Sequence, residues 1–212
     1  MNARSEVLIW ITCRKYERFL RNAIWSAHTQ THPCAVVVSH DGCLDDSAPV
    51  GVAKNRNRVI SFLTDSAFEY VIFLDADDRL PRNYVEEVLK VVNGDNVVVT
   101  TDAARFDLDN GYIFTGGIKV ETPVTKESIL AQNTIHCSAL VPRCVVGYAF
   151  NEDLPAYEDW EFWYKQAARG IEFRHCSTTR LEIGDHRDSR HKNKPADWDA
   201  TRMRDHLRSL NL

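Results

Sequence analysis

The chain is expected to be an α/β protein on a mostly parallel sheet, and two observations predict it. Short apolar runs alternate with stretches of helical period over the first hundred or so residues, and several of the apolar runs end in carboxylates. Val7–Ile11 reads as a buried strand. Phe19, Leu20, Ala23, Ile24 and Ala27 then recur at helical spacing until Pro33 ends the segment. Ala35–Ser39 is the next strand and runs into His40-Asp41-Gly42 and a polar turn through Ser47. Gly51–Leu63 is a second helix, with Lys54, Asn55, Arg56, Asn57 and Arg58 near its start. The apolar run from Val71 is the third strand. Behind Pro81, the spacing of Val85, Val88, Leu89 and Val92 predicts a third helix. Units of this length imply right-handed crossovers and a Rossmann-like half, residues 1–100, with helices on the sheet faces.

Residues 101–212 carry a different pattern, expected to form a smaller subdomain of mixed strand order within the same single domain. Val97–Thr101 and Tyr112–Ile118 read as strands around an Asp/Asn/Gly turn, Glu127–Ala131 as a short helix, and Ile135–Val141 as another apolar stretch. A last helix starts near Glu158, with Trp160, Trp163, Tyr164 and Ala167 on one face and Gly170 past its end. Beyond Ile183 the pattern dissolves. Segment 184–195 is polar and basic, and is expected to be mobile without ligand.

With 212 residues and 44% hydrophobic content the chain can bury one good core. The net charge of −4 argues against affinity resting on a broad basic face for nucleic acid or anionic lipid. The six cysteines show no Cys-x-x-Cys spacing, which predicts reduced thiols in a cytoplasmic compartment and argues against a zinc site built from them. No apolar run is long enough to predict a membrane span or a signal segment.

The densest chemistry is Val71-Ile-Phe-Leu-Asp75-Ala-Asp77-Asp78, a buried strand that delivers three carboxylates at its carboxyl end. Like charges crowded there need an offset, and a divalent cation carrying a phosphate ligand provides it where ligands of open α/β sheets sit. The competing reading is helix capping, which needs one carboxylate rather than three; Asp78 alone fits a turn role.

The order of motifs resembles the inverting family 2 glycosyltransferases of GT-A fold. The resemblance rests on Thr12 with Tyr16-Glu17-Arg18-Phe19-Leu20, Gln30-Thr31-His32-Pro33, His40-Asp41-Gly42, Phe73-Leu74-Asp75-Ala76-Asp77-Asp78 and Glu158-Asp159. Two segments depart from the family pattern: Ile11-Thr12-Cys13-Arg14-Lys15 stands where Pro-Thr-Tyr-Asn is usual, and His40-Asp41-Gly42 where Asp-Asp-Gly is usual. The resemblance implies a nucleotide-diphospho-sugar donor, UDP-linked, with Mn²⁺ or Mg²⁺, and an acceptor hydroxyl.

It also implies roles. Asp41 would accept a hydrogen bond from the base and Thr12 would close the same pocket; Asp75 would hold the ribose and Asp77 the metal. Lys54 or Arg56 would place positive charge near the diphosphate, with a solvated helix face as the equal alternative. Asp159 would be the general base, although acidic residues are ordinary in a first helical turn. His186 and His191 are metal-ligand candidates in a closing C-terminal segment with Arg187, Arg190 and Lys192; a solvated basic tail explains them equally. His136, on an apolar stretch, is expected to be a core residue.

Two rivals remain at this point. A degenerate transferase could serve as a binding or assembly subunit, and a sugar-nucleotide pyrophosphorylase would share the sheet, although Ile9–Lys15 lacks the glycines of its phosphate loop. The acceptor is open among glycan, lipid-linked sugar, metabolite, protein side chain and modified nucleobase, with nucleic acid disfavoured by overall charge.

Overall fold

The computed structural model describes residues 6–14, 16–41, 50–94, 96–189, 192 and 194–212. The first half alternates as read: β1 (Val7–Cys13), α1 (Glu17–His28), β2 (Cys34–His40), α2 (Val52–Leu63), β3 (Tyr70–Asp75) and α3 (Tyr84–Val91). The second half runs β4 (Val97–Asp107), β5 (Ile113–Ile118), α4 (Lys126–Ala131), β6 (Leu140–Pro142), α5 (Arg143–Val146), α6 (Glu158–Ala168), β7 (Glu172–Asp185) and α7 (Ala200–Ser209).

Among the described residues one sheet holds seven strands in the order β2-β1-β3-β6-β4-β5, with β7 paired to β4. β1 lies parallel between β2 and β3, and β7 is parallel to β4; β6 and β5 pair antiparallel with their neighbours. The parallel half and the mixed half therefore share one continuous sheet.

Alternation along β1 divides the core in two. Leu8 and Trp10 face a layer that includes Val59 and Leu63 of α2, Phe162 and Trp163 of α6, and Met203 and Leu207 of α7. Val7, Ile9 and Ile11 face Ala23 and Ala27 of α1 with Tyr84, Val85 and Val88 of α3. Each fully buried Leu or Ile contributes roughly 1.5–3 kcal/mol, which fixes the strand register because a one-residue slip would exchange the two faces. Trp160 and Trp163 are core residues, as their helical spacing predicts, and the Trp160 indole N–H donates to the Ile129 carbonyl at 2.6 Å.

Two elements escape the sequence reading. β7 lies almost entirely in a stretch without a strand signature, because its apolar residues Phe173, Cys176, Leu181 and Ile183 do not keep one alternation. Its pairing with β4 jumps from Thr101 opposite Cys176 to Asp102 opposite Arg180, and the residues between belong to an irregularity. α7 is rich in charge and buries only Met203 and Leu207, an i, i+4 pair, behind an Asp199 side chain that accepts from the Arg202 N–H at 2.9 Å. Ile135–Val141 is irregular up to Ala139, with a turn at Cys137 and Ser138 and strand only from Leu140.

Segment 184–195, expected to move freely, begins as anchored structure. Gly184 and Asp185 end β7, His186 and Ser189 are buried, and the Tyr16 hydroxyl donates to the Asp188 carbonyl at 2.8 Å. Polar composition hid these contacts because they are made by hydrogen bonds and by one buried imidazole rather than by aliphatic side chains.

Candidate active site

β1, β2 and β3 end side by side, with Thr12 opposite both Ser39 and Asp75. The Thr12 hydroxyl donates to Asp75 Oδ1 at 2.7 Å. Arg56 Nη2 donates to both oxygens of the same carboxylate, at 2.9 and 3.1 Å, while its Nη1 donates to Glu158 Oε1 at 2.8 Å. Ala53, Arg56 and Val59 follow one another at three-residue spacing on the buried face of α2, which turns the guanidinium inward. Lys54 is exposed on the same helix. Of the two alternatives for this segment, Lys54 fits the solvated face and Arg56 does not.

Arg56 and Glu158 have side chains only 4% and 3% exposed. Burial works against the charge on Arg56, but the carboxylates of Asp75, Glu158 and Asp159 and the nearby Cys137 outweigh it and raise its pKa well above the ordinary value. The guanidinium thus joins the end of β3 to the first turn of α6. Glu158, which the sequence motif contained without a role of its own, is the buried half of this link.

Asp77 points to a different partner. Its Oδ2 lies 3.1 Å from His186 Nε2, and the imidazole is packed between the rings of Tyr16 and Phe19, each with its centroid 4.8 Å away. Burial pushes the Asp77 carboxyl up, its hydrogen bond to His186 opposes this, and neighbouring Asp75 pushes it further up. Asp78, raised well above its usual value by burial and by Asp77 and Asp75, accepts the Gly184 N–H at 3.0 Å. Asp78 therefore pins the end of β7 rather than capping a helix. Paired backbone hydrogen bonds between Arg79 and Glu182, 2.9 and 3.0 Å, fasten the same two segments and set His186 beside Asp77.

Gly184 is required for that approach. A Cβ built there would overlap the Asp77 carbonyl oxygen and the Leu108 side chain. Gly184→Ala is expected to cost roughly 1–3 kcal/mol or more by overpacking. It should also weaken any Mn²⁺-dependent nucleotide binding, because the strand end that carries His186 must back away. Urea unfolding read beside a nucleotide titration checks both effects; unchanged stability would show that the contact is soft.

Asp41 is buried, and its carboxylate accepts the Val50 N–H at 2.6 Å and the Gly51 N–H at 3.1 Å, so it orders the start of α2. Arg14 Nε lies 3.9 Å from it. Asp159, in the first turn of α6, accepts its neighbour's Trp160 N–H at 2.9 Å through Oδ1 and the Asn133 Nδ2–H at 3.1 Å through Oδ2. Asn133 carried no signal in the sequence beyond its place in a polar turn after α4. His136 is held by the Thr101 carbonyl, 2.9 Å from Nε2, and burial lowers its pKa to about 4, which makes it a neutral structural histidine as expected. Gly42, Arg190 and His191 lie outside the described residues. Thr12, Arg56, Asp75 and Glu158 form one connected group, and Asp77 and His186 a second.

The donor atoms of this second pair suit a divalent cation. A carboxylate oxygen and an imidazole nitrogen converge, Asp77 is destabilised as an anion by burial and by Asp75, and His186 Nδ1 is buried without a hydrogen-bond partner among the described residues. Those properties fit Mn²⁺ or Mg²⁺ held jointly with substrate phosphates.

The Glycosyl transferase family 2 model matches residues 46–136, a stretch that includes Lys54, Arg56, Asp75 and Asp77. No curated protein sequence matches the chain significantly. Among solved structures it is similar to S. aureus TarS 1-349 in complex with UDP-GlcNAc, at 17% identity and a TM-score of 0.66 over 89% of this chain and 60% of that one. It is also similar to the mannosyltransferase PcManGT from Pyrobaculum calidifontis in complex with GDP-Man and Mn²⁺, at 14% identity and a TM-score of 0.59 over 87% and 57%. GalNAc-T7 with UDP, GalNAc and Mn²⁺ superposes with a TM-score of 0.62 at 10% identity over 85% and 44%. The chain thus spans about 60% or less of the length of each of these structures. No helix among the described residues is long and apolar enough to cross a membrane. The family 2 signature between residues 46 and 136 makes this part of the chain similar to the family 2 glycosyltransferases, and its fold is that of the GT-A enzymes it resembles.

Proposed function

We propose that the protein transfers a sugar from a nucleotide-diphospho-sugar, UDP-linked, to an acceptor hydroxyl with inversion at the anomeric carbon. The observation that carries the reading is the Asp77–His186 pair at the carboxyl end of β3, beside a carboxylate already positioned by Thr12 and Arg56. Asp75 and Thr12 bind the ribose side of the donor, and Asp41, through the turn it orders, shapes the base pocket. Asp77 and His186 hold Mn²⁺ or Mg²⁺. The ion, when bound, neutralises the diphosphate and eases departure of the nucleotide.

Asp159 removes the acceptor hydroxyl proton as that oxygen attacks from the face opposite the leaving group. Asn133 fixes which carboxylate oxygen is turned to the acceptor, and Arg56 keeps the first turn of α6 in register with the donor side. The part from residue 101 onward supplies the acceptor side, and a cytoplasmic setting agrees with the unbridged thiols of Cys34, Cys137 and Cys176.

The test is thermal unfolding with Mn²⁺ against UDP, GDP, CDP and dTDP, repeated in Asp77→Asn. A ligand at a hundred times its Kd stabilises the folded state by about 2.7 kcal/mol. The expected outcome is a Mn²⁺-dependent rise in Tm with UDP that the variant loses. A nucleotide-independent Tm, or a shift that survives Asp77→Asn, would sink the donor-site assignment.

A further inference from the structure

On the opposite face of β1 from Thr12, three side chains bring a sulfur, a carboxylate oxygen and an imidazole nitrogen within 4.8 Å of one another: Cys13, Glu17 and His40. The fold builds this cluster from three elements. Cys13 and His40 are register partners at the ends of β1 and β2, and partners in adjacent strands project to the same face. Cys13 continues the Ile9, Ile11 side of β1, which packs on α1, and Glu17 is the first residue of that helix. Thr12 projects the other way, to Asp75. Cys13 is buried, His40 half-buried and Glu17 exposed, so the cluster has one dry wall and one edge open to solvent.

A second observation points to a ligand. His40 Nδ1 is shielded from solvent and has no hydrogen-bond partner among the described residues. Buried polar atoms are nearly always satisfied, and an orphan one asks for a water or an ion.

We propose that Cys13, Glu17 and His40 bind a divalent transition ion of the Zn²⁺ class, at a site separate from the Asp77–His186 pair. Thiolate and imidazole are soft and borderline donors that select this class over Mg²⁺ or Ca²⁺. One thiolate and one carboxylate neutralise the ion's two charges, which suits a half-buried position. With metal–ligand bonds of about 2.0–2.3 Å, tetrahedral donors sit roughly 3.2–3.8 Å apart, so a cluster already within 4.8 Å needs only small side-chain adjustments. Three protein donors leave a fourth position, on the Glu17 edge, for water. Bound there, the ion ties together the ends of β1 and β2 and the start of α1, the segments that lead to Thr12 and Asp41. The proposal stands independently of the glycosyl-transfer reading.

Co²⁺ titration of the chelator-stripped full chain tests it. The expected result is one Co²⁺ per chain with a near-ultraviolet thiolate-to-cobalt charge-transfer band that Zn²⁺ displaces. Cys13→Ser should abolish the band, and Glu17→Gln and His40→Gln should weaken Co²⁺ at least ~10-fold, since even groups that only support a metal ligand are worth that much. Asp77→Asn should leave the band intact, so failure of the donor site and failure of this one read out separately. Because Cys13 is in the core, the Glu17 and His40 variants decide the matter if Cys13→Ser does not fold. A wild-type chain without the band, a band that survives in folded Cys13→Ser, or unchanged affinity in both other variants overturns the proposal.

Discussion

Arg56→Ala is expected to destabilise the fold by about 3–5 kcal/mol, the size of loss seen when one partner of a buried ion pair is removed. The guanidinium satisfies Glu158, which is 3% exposed, and also holds both oxygens of Asp75. Truncation leaves the Glu158 carboxylate in the core without the guanidinium that offsets its desolvation, and removes the guanidinium from beside the Phe150 ring, 5.6 Å away. Were Arg56 on a solvated helix face, as one reading of the basic run in α2 allowed, the loss would be about 0–1 kcal/mol. Urea unfolding separates the two cases. The double variant Arg56→Ala/Glu158→Gln is the informative control: with the orphan charge gone, a good part of the loss should return. If the double variant is no better than the single one, the damage lies in lost packing or in Asp75, and the link between β3 and α6 is not held by charge.

What the sequence revealed, and what it hid, follows from where the physical signal lies. β1 and β3 are legible because they are central strands buried on both faces, so they appear as unbroken apolar runs with polar residues only at their ends, and β2, the half-buried edge strand, is legible from its Ala-Val-Val-Val run. The carboxylate cluster was legible for the same reason, since Asp75 and Asp77 follow directly from such a run. β7 was not, because it meets β4 in two separate registers and its middle, Ser177-Thr178-Thr179, carries no apolar alternation. α7 was hidden by charge, since two buried residues suffice to dock it. In the site, the family resemblance made Asp77 and His186 candidates of one kind, yet their meeting depends on long-range contacts: Asp78 with Gly184 and Arg79 with Glu182, more than a hundred residues apart in both cases. The inward turn of Arg56 could be read from its three-residue spacing with Ala53 and Val59, but the neighbouring Lys54, Asn57 and Arg58 made the whole stretch look solvated. Asn133 had no pattern to betray it.

Asp159→Asn is expected to lower the rate of sugar transfer by roughly 10²–10⁴, the usual contribution of a general base, while leaving Mn²⁺-dependent nucleotide stabilisation intact. The substitution is nearly isosteric: the amide oxygen still accepts the Trp160 N–H that Asp159 Oδ1 accepts at 2.9 Å. Its amide nitrogen, however, faces the Asn133 Nδ2 that now donates to Oδ2 at 3.1 Å, and Asn133 is kept from flipping by its own oxygen, which accepts the Ile135 N–H at 3.1 Å. A modest local rearrangement follows, small beside the loss of the basic oxygen. General-base catalysis needs the acceptor hydroxyl in place beside that oxygen. Base catalysis should therefore be visible in turnover with acceptor present and small in donor hydrolysis, where the site stays wet. Nucleotide release, with and without acceptor, measures both. Equal turnover by Asp159→Asn and the parent chain would remove Asp159 from the chemistry and leave it as an ordinary acidic residue in a first helical turn.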